Sequence, residues 1–386
     1  MVYAIEVFDK LNIIHLGGDE VYGHMEWKGI RKCPLCISKD SSEILNNFLI
    51  NLAEFCIERG IHPEFWADEV LSFPEHIDRF PKGTRFIDWY YSRTERYSNV
   101  TGLIWGARSL AGEIPNRITN KIPERLNCML PYLITEDGKF NNFYGIEYII
   151  SKGYEAVVAS GVRLSGGCYS IPRIEAGAKN AGISEVVSRD LKCDHIVTSW
   201  AVRLSHPETT WPSLKVVSAQ DHELACNFKE ASLAGEFSAK IEKVITEPLG
   251  NINREQMSLL KYIAKGVRGI DITLEQNARF ERPYYGEYYK AIYDIWESEN
   301  RSDIVEMLNR RVSAGKEILP VLSKSLHKEK GDKDCIRHWI NGIQLCMLRS
   351  EQAVTIIDSL TNGLNRKQLE SILERNKILM TDFETL

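Results

Sequence analysis

The chain has 386 residues, 44% of them hydrophobic and 26% charged, with a formal net charge of −5. That composition is ordinary for a soluble globular protein large enough for two cores, and the lack of any lysine/arginine block gives nucleic-acid binding no electrostatic support. No run of about 18 apolar residues occurs, so no membrane span is predicted.

The first twelve residues, MVYAIEVFDKLN, carry acids and no apolar core, which is unlike a signal peptide. The nine cysteines are odd in number and scattered. They fit reduced thiols in a cytoplasmic setting better than a disulfide framework.

Residues 2–10 read as the end of a helix that feeds a strand at 12–16. After Glu20 a loop carries Cys33 and Cys36, with His24 near enough to be a third ligand. One Cys-x-x-Cys is half a zinc site, and no second one follows at finger spacing, so free thiols are the expectation and no metal is assigned. Residues 41–60 have helical periodicity through Ile44, Leu45, Phe48, Leu52 and Phe55, with Ser41 or Ser42 able to cap the start and Gly60 ending it. A strand at 62–68, a turn with a short helix around PEHIDRFP, and a strand at 84–91 follow. Residues 92–144 carry mixed signals and read as helix, loop and excursion.

A helix at 145–152, a strand at 155–162, a helix near 172–190 and a strand at 194–202 resume the alternation. Alternating strands and helices imply parallel βα units. Pro212 marks a helix start after the last strand. From about residue 216 the segments 220–245, 254–266, 283–298, 302–326, 334–360 and 366–376 are all helical in period. The predicted organisation is an α/β domain over 1–215 and an all-α C-terminal domain over 216–386, the latter serving packing or dimerisation.

The most informative stretch is Asn12–Glu20, NIIHLGGDE. A short apolar strand runs into Gly17 and Gly18, which lack a Cβ and permit a sharp turn or close ligand approach. Asp19 and Glu20 then stand at the strand's C-terminal tip, where parallel α/β folds place their active sites. Like charges this close resist ionising together, which raises one pKa, as a general acid near neutral pH requires. Trp66, Trp89 and Trp200 lie at or near the ends of predicted strands, so all three project toward the same face as the two acids. Flat aromatic rings stack on sugar faces and can wall in a methyl group.

His-x-Gly-Gly-Asp-Glu after an apolar strand resembles the signature of family 20 glycoside hydrolases, the β-N-acetylhexosaminidases. FWADEV, IDWYY and SWAVR resemble that family's strand-end tryptophan segments. The resemblance covers roughly residues 1–215 and implies a TIM-type (β/α)8 barrel, with the five strands corresponding to strands four to eight. It implies that Asp19 orients the substrate's 2-acetamido group and that Glu20 protonates the leaving oxygen and then activates water. It also implies substrate-binding roles for His15, Trp66, Trp89 and Trp200, with Tyr169 hydrogen-bonding the acetamide oxygen. Two positions depart from the pattern: Tyr169 is followed by Ser170-Ile171 rather than x-Asp, and Val202 stands where the family has a sugar-binding Glu. Glu208 or Arg203 is the candidate replacement.

The implied activity is exo-hydrolysis of terminal β-linked GlcNAc or GalNAc, with retention, through an oxazolinium ion. It needs no cofactor, and its partners are N-acetylhexosamine-containing glycans. The family has three further βα units ahead of the motif, so this chain is expected to be poorly stable or inactive alone. The rival readings are a carbohydrate-binding protein that does not hydrolyse, and a metal-dependent hydrolase using His15, Asp19, Glu20 and Asp68. The latter lacks a His-x-His or His-Glu-x-x-His pattern.

Overall fold

The structure is a computed structural model that describes residues 10–21, 34, 37–161, 174–199, 246–250, 252–264, 270, 285–328, 331–363 and 366–384. The chain divides into two compact units. One comprises Met1–Ser160 with Ile183–Val197, the other Gly161–Gly182 with Thr198–Leu386.

The first unit is built on a parallel sheet. Its early elements are β1 (Ile13–His15), helix α1 (Ser41–Ile57), β2 (His62–Trp66), the short helix α2 (Asp68–Ser72) and β3 (Arg85–Trp89). An excursion follows with β4 (Tyr97–Ser98), the single turn α3 (Leu130–Leu133) and β5 (Phe140–Asn141). Then come α4 (Tyr144–Ser151), β6 (Glu155–Gly161), α5 (Ile174–Leu191), of which the residues from Ile183 on belong to this unit, and β7 (Asp194–Thr198). Strand order in the main sheet is β1-β2-β3-β6-β7, while β4 and β5 form a separate antiparallel pair.

Each new strand is added beside the last in chain order, with no reversal of direction. That is the winding of βα barrels, not of doubly wound sheets, whose order reverses at a switch point. The described residues show five parallel strands of this kind and a helical C-terminal region; they do not show a closed eight-stranded barrel. The register sets Ile14 opposite Pro63, Trp66 opposite Ile87, and Trp89 opposite Ala159.

Side chains alternate across a strand, so residues two apart share a face. Trp66, Ile87, Val157 and Ala159 form one cluster with Trp89, Tyr91 and Ile196 packed on it. At the N-terminal ends of the same strands, Arg85 donates to Glu64, Glu155 and Asp194 at 3.0, 2.8 and 2.6 Å. One guanidinium therefore ties β2, β6 and β7 to β3, which fits its rigid fork of donors.

The strands are shorter than expected. β2 stops at Trp66 because Asp68 already opens α2, and β7 is assigned only to Thr198. Helix α1 forms as predicted but is capped by Asp40, not by Ser41 or Ser42. The Asp40 carboxylate accepts from the N–H groups of Ser42 and Glu43 at 2.8 and 3.1 Å, filling two donors that a helix start leaves open.

Its buried stripe is Leu45, Leu49, Ile50, Ala53 and Cys56, whereas Phe48 is 58% exposed. Apolar residues occupy two adjacent i, i+4 rows of this helix, so periodicity alone does not choose between them. Gly60 ends the helix as expected. At φ +73 it lets its own N–H reach Ile57 O and the Ile61 N–H reach Cys56 O, a Schellman closure.

The excursion over 90–143 contains single helical turns around the β4–β5 pair. It is held by a buried ion pair at 2.9 Å between Arg93 and Asp88, which are 1% and 2% exposed.

The second unit is helical among its described residues. It contains α6 (Arg254–Ala264), α7 (Tyr285–Glu297), α8 (Arg301–His327), α9 (Lys333–Asn362) and α10 (Arg366–Glu384). Helices expected at 254–266, 283–298, 302–326, 334–360 and 366–376 all form, while the one at 220–245 lies outside the described residues, as do residues 2–9 of the helix end expected at 2–10. Ile292, Leu308, Ala353 and Ile357 share one core. Gly315 lets α8 approach α9, since a Cβ there would stand 2.3 Å from Met347 Sδ.

Candidate functional site

The site is assembled at the C-terminal ends of β1, β2 and β3. Past His15 the chain still runs beside β2: the Leu16 N–H reaches Glu64 O at 2.8 Å and the Trp66 N–H reaches Gly17 O at 3.1 Å. Gly17 and Gly18, at φ +75 and +91, then turn the backbone in a left-handed conformation that costs an L side chain about 1–2 kcal/mol. Glu20 also sits in this region, at φ +57, although it is not glycine. Its N–H donates to Asp68 Oδ2 at 2.8 Å.

Asp68 is the centre of the arrangement. It lies two residues past the end of β2 and is 3% exposed. While Oδ2 takes the Glu20 N–H, Oδ1 accepts the Trp89 indole N–H at 3.1 Å. Burial pushes its pKa up to about 6, with the two hydrogen bonds opposing and the nearby charge of Asp19 adding to the rise. Near neutral pH it is mainly the carboxylate, which can accept from both donors at once.

An aromatic row runs across the strand ends. His15 meets Trp66 edge-on at 5.0 Å, Trp66 meets Trp89 at 6.5 Å, and Trp89 lies 5.5 Å from Tyr91 and 4.8 Å from Trp105. The Trp105 indole N–H donates to Asp88 Oδ1 at 3.1 Å, and its backbone N–H donates to the Tyr144 hydroxyl at 2.8 Å. The His15 pKa is lowered by the burial it gains here, against the opposing charges of Glu64 and Asp19. Its Nδ1 accepts the Gly17 N–H at 3.2 Å, which places the proton of the neutral ring on Nε2.

The structure thus gathers His15, Asp19, Glu20, Trp66 and Trp89 around three neighbouring strand tips. The Glu20 side chain is exposed and that of Asp19 is half-buried. Tyr169, Trp200, Arg203 and Glu208 lie outside the described residues, as do His24, Cys33 and Cys36. Among the described residues no group of three or more His, Cys, Asp or Glu side chains is placed to hold a metal ion. Sequence pattern gives Asp68 a part only in the metal-dependent alternative, and gives Trp105 and Asp88 none. The signal for Asp68 is its place just past a strand-end tryptophan. For Trp105, which packs here from the excursion, no local signal exists.

A second polar chain has the order of a nucleophile, base and acid. Ser160 Oγ lies 2.8 Å from His195 Nε2, and His195 Nδ1 lies 2.9 Å from Glu185 Oε2. Ser160 is completely buried, so no substrate reaches its hydroxyl, and the chain serves to tether β6 and β7 to α5. A cleft of about 390 Å³ lined by Asn309, Lys316, Glu351, Gln368 and Arg375 belongs to the helical unit, and no strand-end residue lines it.

No protein-family model matches the chain, and no curated protein matches its sequence.

Proposed function

We propose that the strand-end cluster is the acid-bearing part of an exo-β-N-acetylhexosaminidase site, acting on glycans that end in β-linked GlcNAc or GalNAc. One observation carries this reading: at the tip of β1, next to Asp19, the Glu20 N–H donates to the same Asp68 carboxylate as the Trp89 indole N–H, and Trp66 and Trp89, which end the next two strands, lie 6.5 Å apart. Asp19 and Glu20 come from consecutive residues of one tip. They are poorly disposed to flank a glycosidic bond as a separate acid and nucleophile. Substrate-assisted hydrolysis removes that need. The acetamido oxygen attacks the anomeric carbon and Glu20 protonates the leaving oxygen, while Asp19 accepts a hydrogen bond from the acetamide N–H as the oxazolinium ion forms. The exposed Glu20 side chain suits contact with a leaving group, and the half-buried Asp19 suits an inner position. Trp89, which is half-buried, supplies a flat apolar face for the sugar and its methyl group, backed by the buried Trp66.

The test uses the 386-residue chain with an aryl β-N-acetylglucosaminide, the matching aryl β-glucoside, and N-acetylglucosamine thiazoline. The reading expects any hydrolysis to be confined to the acetamido substrate, and turnover would overturn the expectation that the chain is inactive alone. It expects a loss of roughly 10²–10⁴-fold in Glu20→Gln, with thiazoline binding retained by calorimetry. Thiazoline binding without turnover in the parent chain would establish the alternative, a carbohydrate-binding protein that does not hydrolyse. Absence of both turnover and binding would overturn the proposal.

A further inference from the structure

The contacts of Asp68 go beyond those of a buried acid that merely needs a partner. Each of its two oxygens takes one donor, and the donors come from two different strand tips. The Glu20 N–H, 48 residues away in sequence, binds Oδ2, and the Trp89 indole, 21 residues away, binds Oδ1. Glu20 holds a left-handed backbone that an L residue adopts only against strain. Its N–H is fixed from the side by this one carboxylate. Trp89 in turn lies against Trp66, Tyr91 and Trp105, so the orientation of its ring is transmitted along the aromatic row.

We infer that Asp68 is a positioning residue, whose carboxylate clamps the backbone of Glu20 and the ring of Trp89 and so fixes the acid relative to the aromatic wall. The role of Glu20 as the acid rests on the function proposed above, but the clamp itself does not. An ionised carboxylate accepts both bonds, whereas a protonated one turns one oxygen into a donor and must release a partner. The same argument applies to asparagine, which has one acceptor oxygen and one donor NH₂. Asp68→Asn keeps the volume and sets N–H against N–H on one side. The charged or titratable groups around the clamp are Asp19 and Glu20 on the β1 tip and Glu69 on its own helix turn. His15 meets Trp66 edge-on at 5.0 Å, and its own protonation would also perturb an indole signal.

The experiment follows the near-UV circular dichroism of the tryptophans in the full chain against pH, in a His15→Gln background that removes the imidazole. A transition with a midpoint close to 6 that disappears on adding Asp68→Asn supports the clamp. Persistence of the transition in the Asp68→Asn chain, or its absence from the His15→Gln chain, would overturn it. Should Asp68→Asn fail to fold, Trp89→Phe reads the same contact through Trp66 and Trp105. Losing a hydrogen bond that favours the ionised form must move the midpoint upward, and an unmoved midpoint counts against the clamp.

In an active chain, Asp68→Asn should lower kcat/KM by roughly 10–100-fold, in the range of a small misplacement of catalytic groups. It should cost clearly less in a Trp89→Phe background, where the asparagine NH₂ no longer faces the indole donor. Equal cost in both backgrounds refutes the coupling. If the parent chain neither hydrolyses nor binds the sugar, yet the transition near pH 6 still requires Asp68, the clamp stands and the hexosaminidase reading alone fails.

Discussion

Replacing Asp88 by alanine tests the strongest energetic statement this fold makes. Asp88 and Arg93 pair at 2.9 Å with 2% and 1% of their side chains exposed. The same carboxylate accepts the Trp105 indole N–H at 3.1 Å. The Arg93 guanidinium also lies 4.7 Å from the ring of Phe143 and 5.7 Å from that of Tyr90. Arginine does not lose its proton in a protein, so Asp88→Ala leaves a buried cation with its counter-charge removed. Breaking a buried pair from one side costs about 3–5 kcal/mol, and a buried indole N–H without its acceptor adds about 1 kcal/mol.

The expected loss is therefore about 4–6 kcal/mol, a large part of the 5–15 kcal/mol typical of folded domains. Urea unfolding followed by tryptophan fluorescence measures it. Arg93→Met completes a double-mutant cycle that isolates the pair from its surroundings. The double variant should be less destabilised than the sum of the singles by at least about 2 kcal/mol, because removing both charges avoids the orphaned cation. A loss below about 1 kcal/mol in Asp88→Ala, or strict additivity in the cycle, would show that water or movement of the excursion relieves the charge and would refute the reasoning.

Three further outcomes follow from the same structure. Gly60→Ala should cost about 1 kcal/mol in thermal or urea unfolding. The penalty is backbone strain alone, because at φ +73 a Cβ there meets nothing within 4 Å. Phe48→Ser should change stability by less than about 0.5 kcal/mol, while its neighbour Leu49→Ala should cost about 3 kcal/mol. The two residues are 58% and 5% exposed, and a reversal of that order would mean α1 buries its other row. Finally, burial lowers the His195 pKa in the folded chain, against the pull of Glu185. Below its unfolded value of about 6.5 the unfolded chain binds the extra proton first, so the contribution of His195 to stability must fall as pH drops from 7 toward 5. Asp68, raised to about 6 in the folded chain, acts in the opposite sense over that range, so the contribution is read by comparison: the urea midpoint of the parent should lose more than that of His195→Gln as pH falls. An equally steep slope in the variant would assign the pH dependence elsewhere.

Much of the architecture is legible from local pattern. The alternation of short apolar runs with amphipathic stretches yields parallel βα units because crossover connections require a helix between parallel strands. Gly17, Gly18 and Gly60 mark their turns because only glycine takes a left-handed backbone without strain. Trp66 and Trp89 end their strands, two residues before the ends expected at 68 and 91. The limits of local pattern show at particular residues. Phe48 fits the helical period as well as Leu49 does, and only the sheet beneath α1 decides which row is covered. Ser41 and Ser42 are good caps by type, but Asp40 is the residue placed to reach the open N–H groups.

What the sequence determined by itself was therefore the order of elements, the helical character of the C-terminal half and the presence of two acids at a strand tip, since each follows from spacing along the chain. Tertiary structure alone decided that Asp68 takes its donors from residues 20 and 89, that Asp88 turns to Arg93 and Trp105, and that Ser160 is shut away behind His195. Those pairings join residues between 5 and 48 positions apart. Whether a buried carboxylate meets a cation, an indole or a backbone N–H depends on which strands lie side by side, and the chemistry of the residue does not specify that.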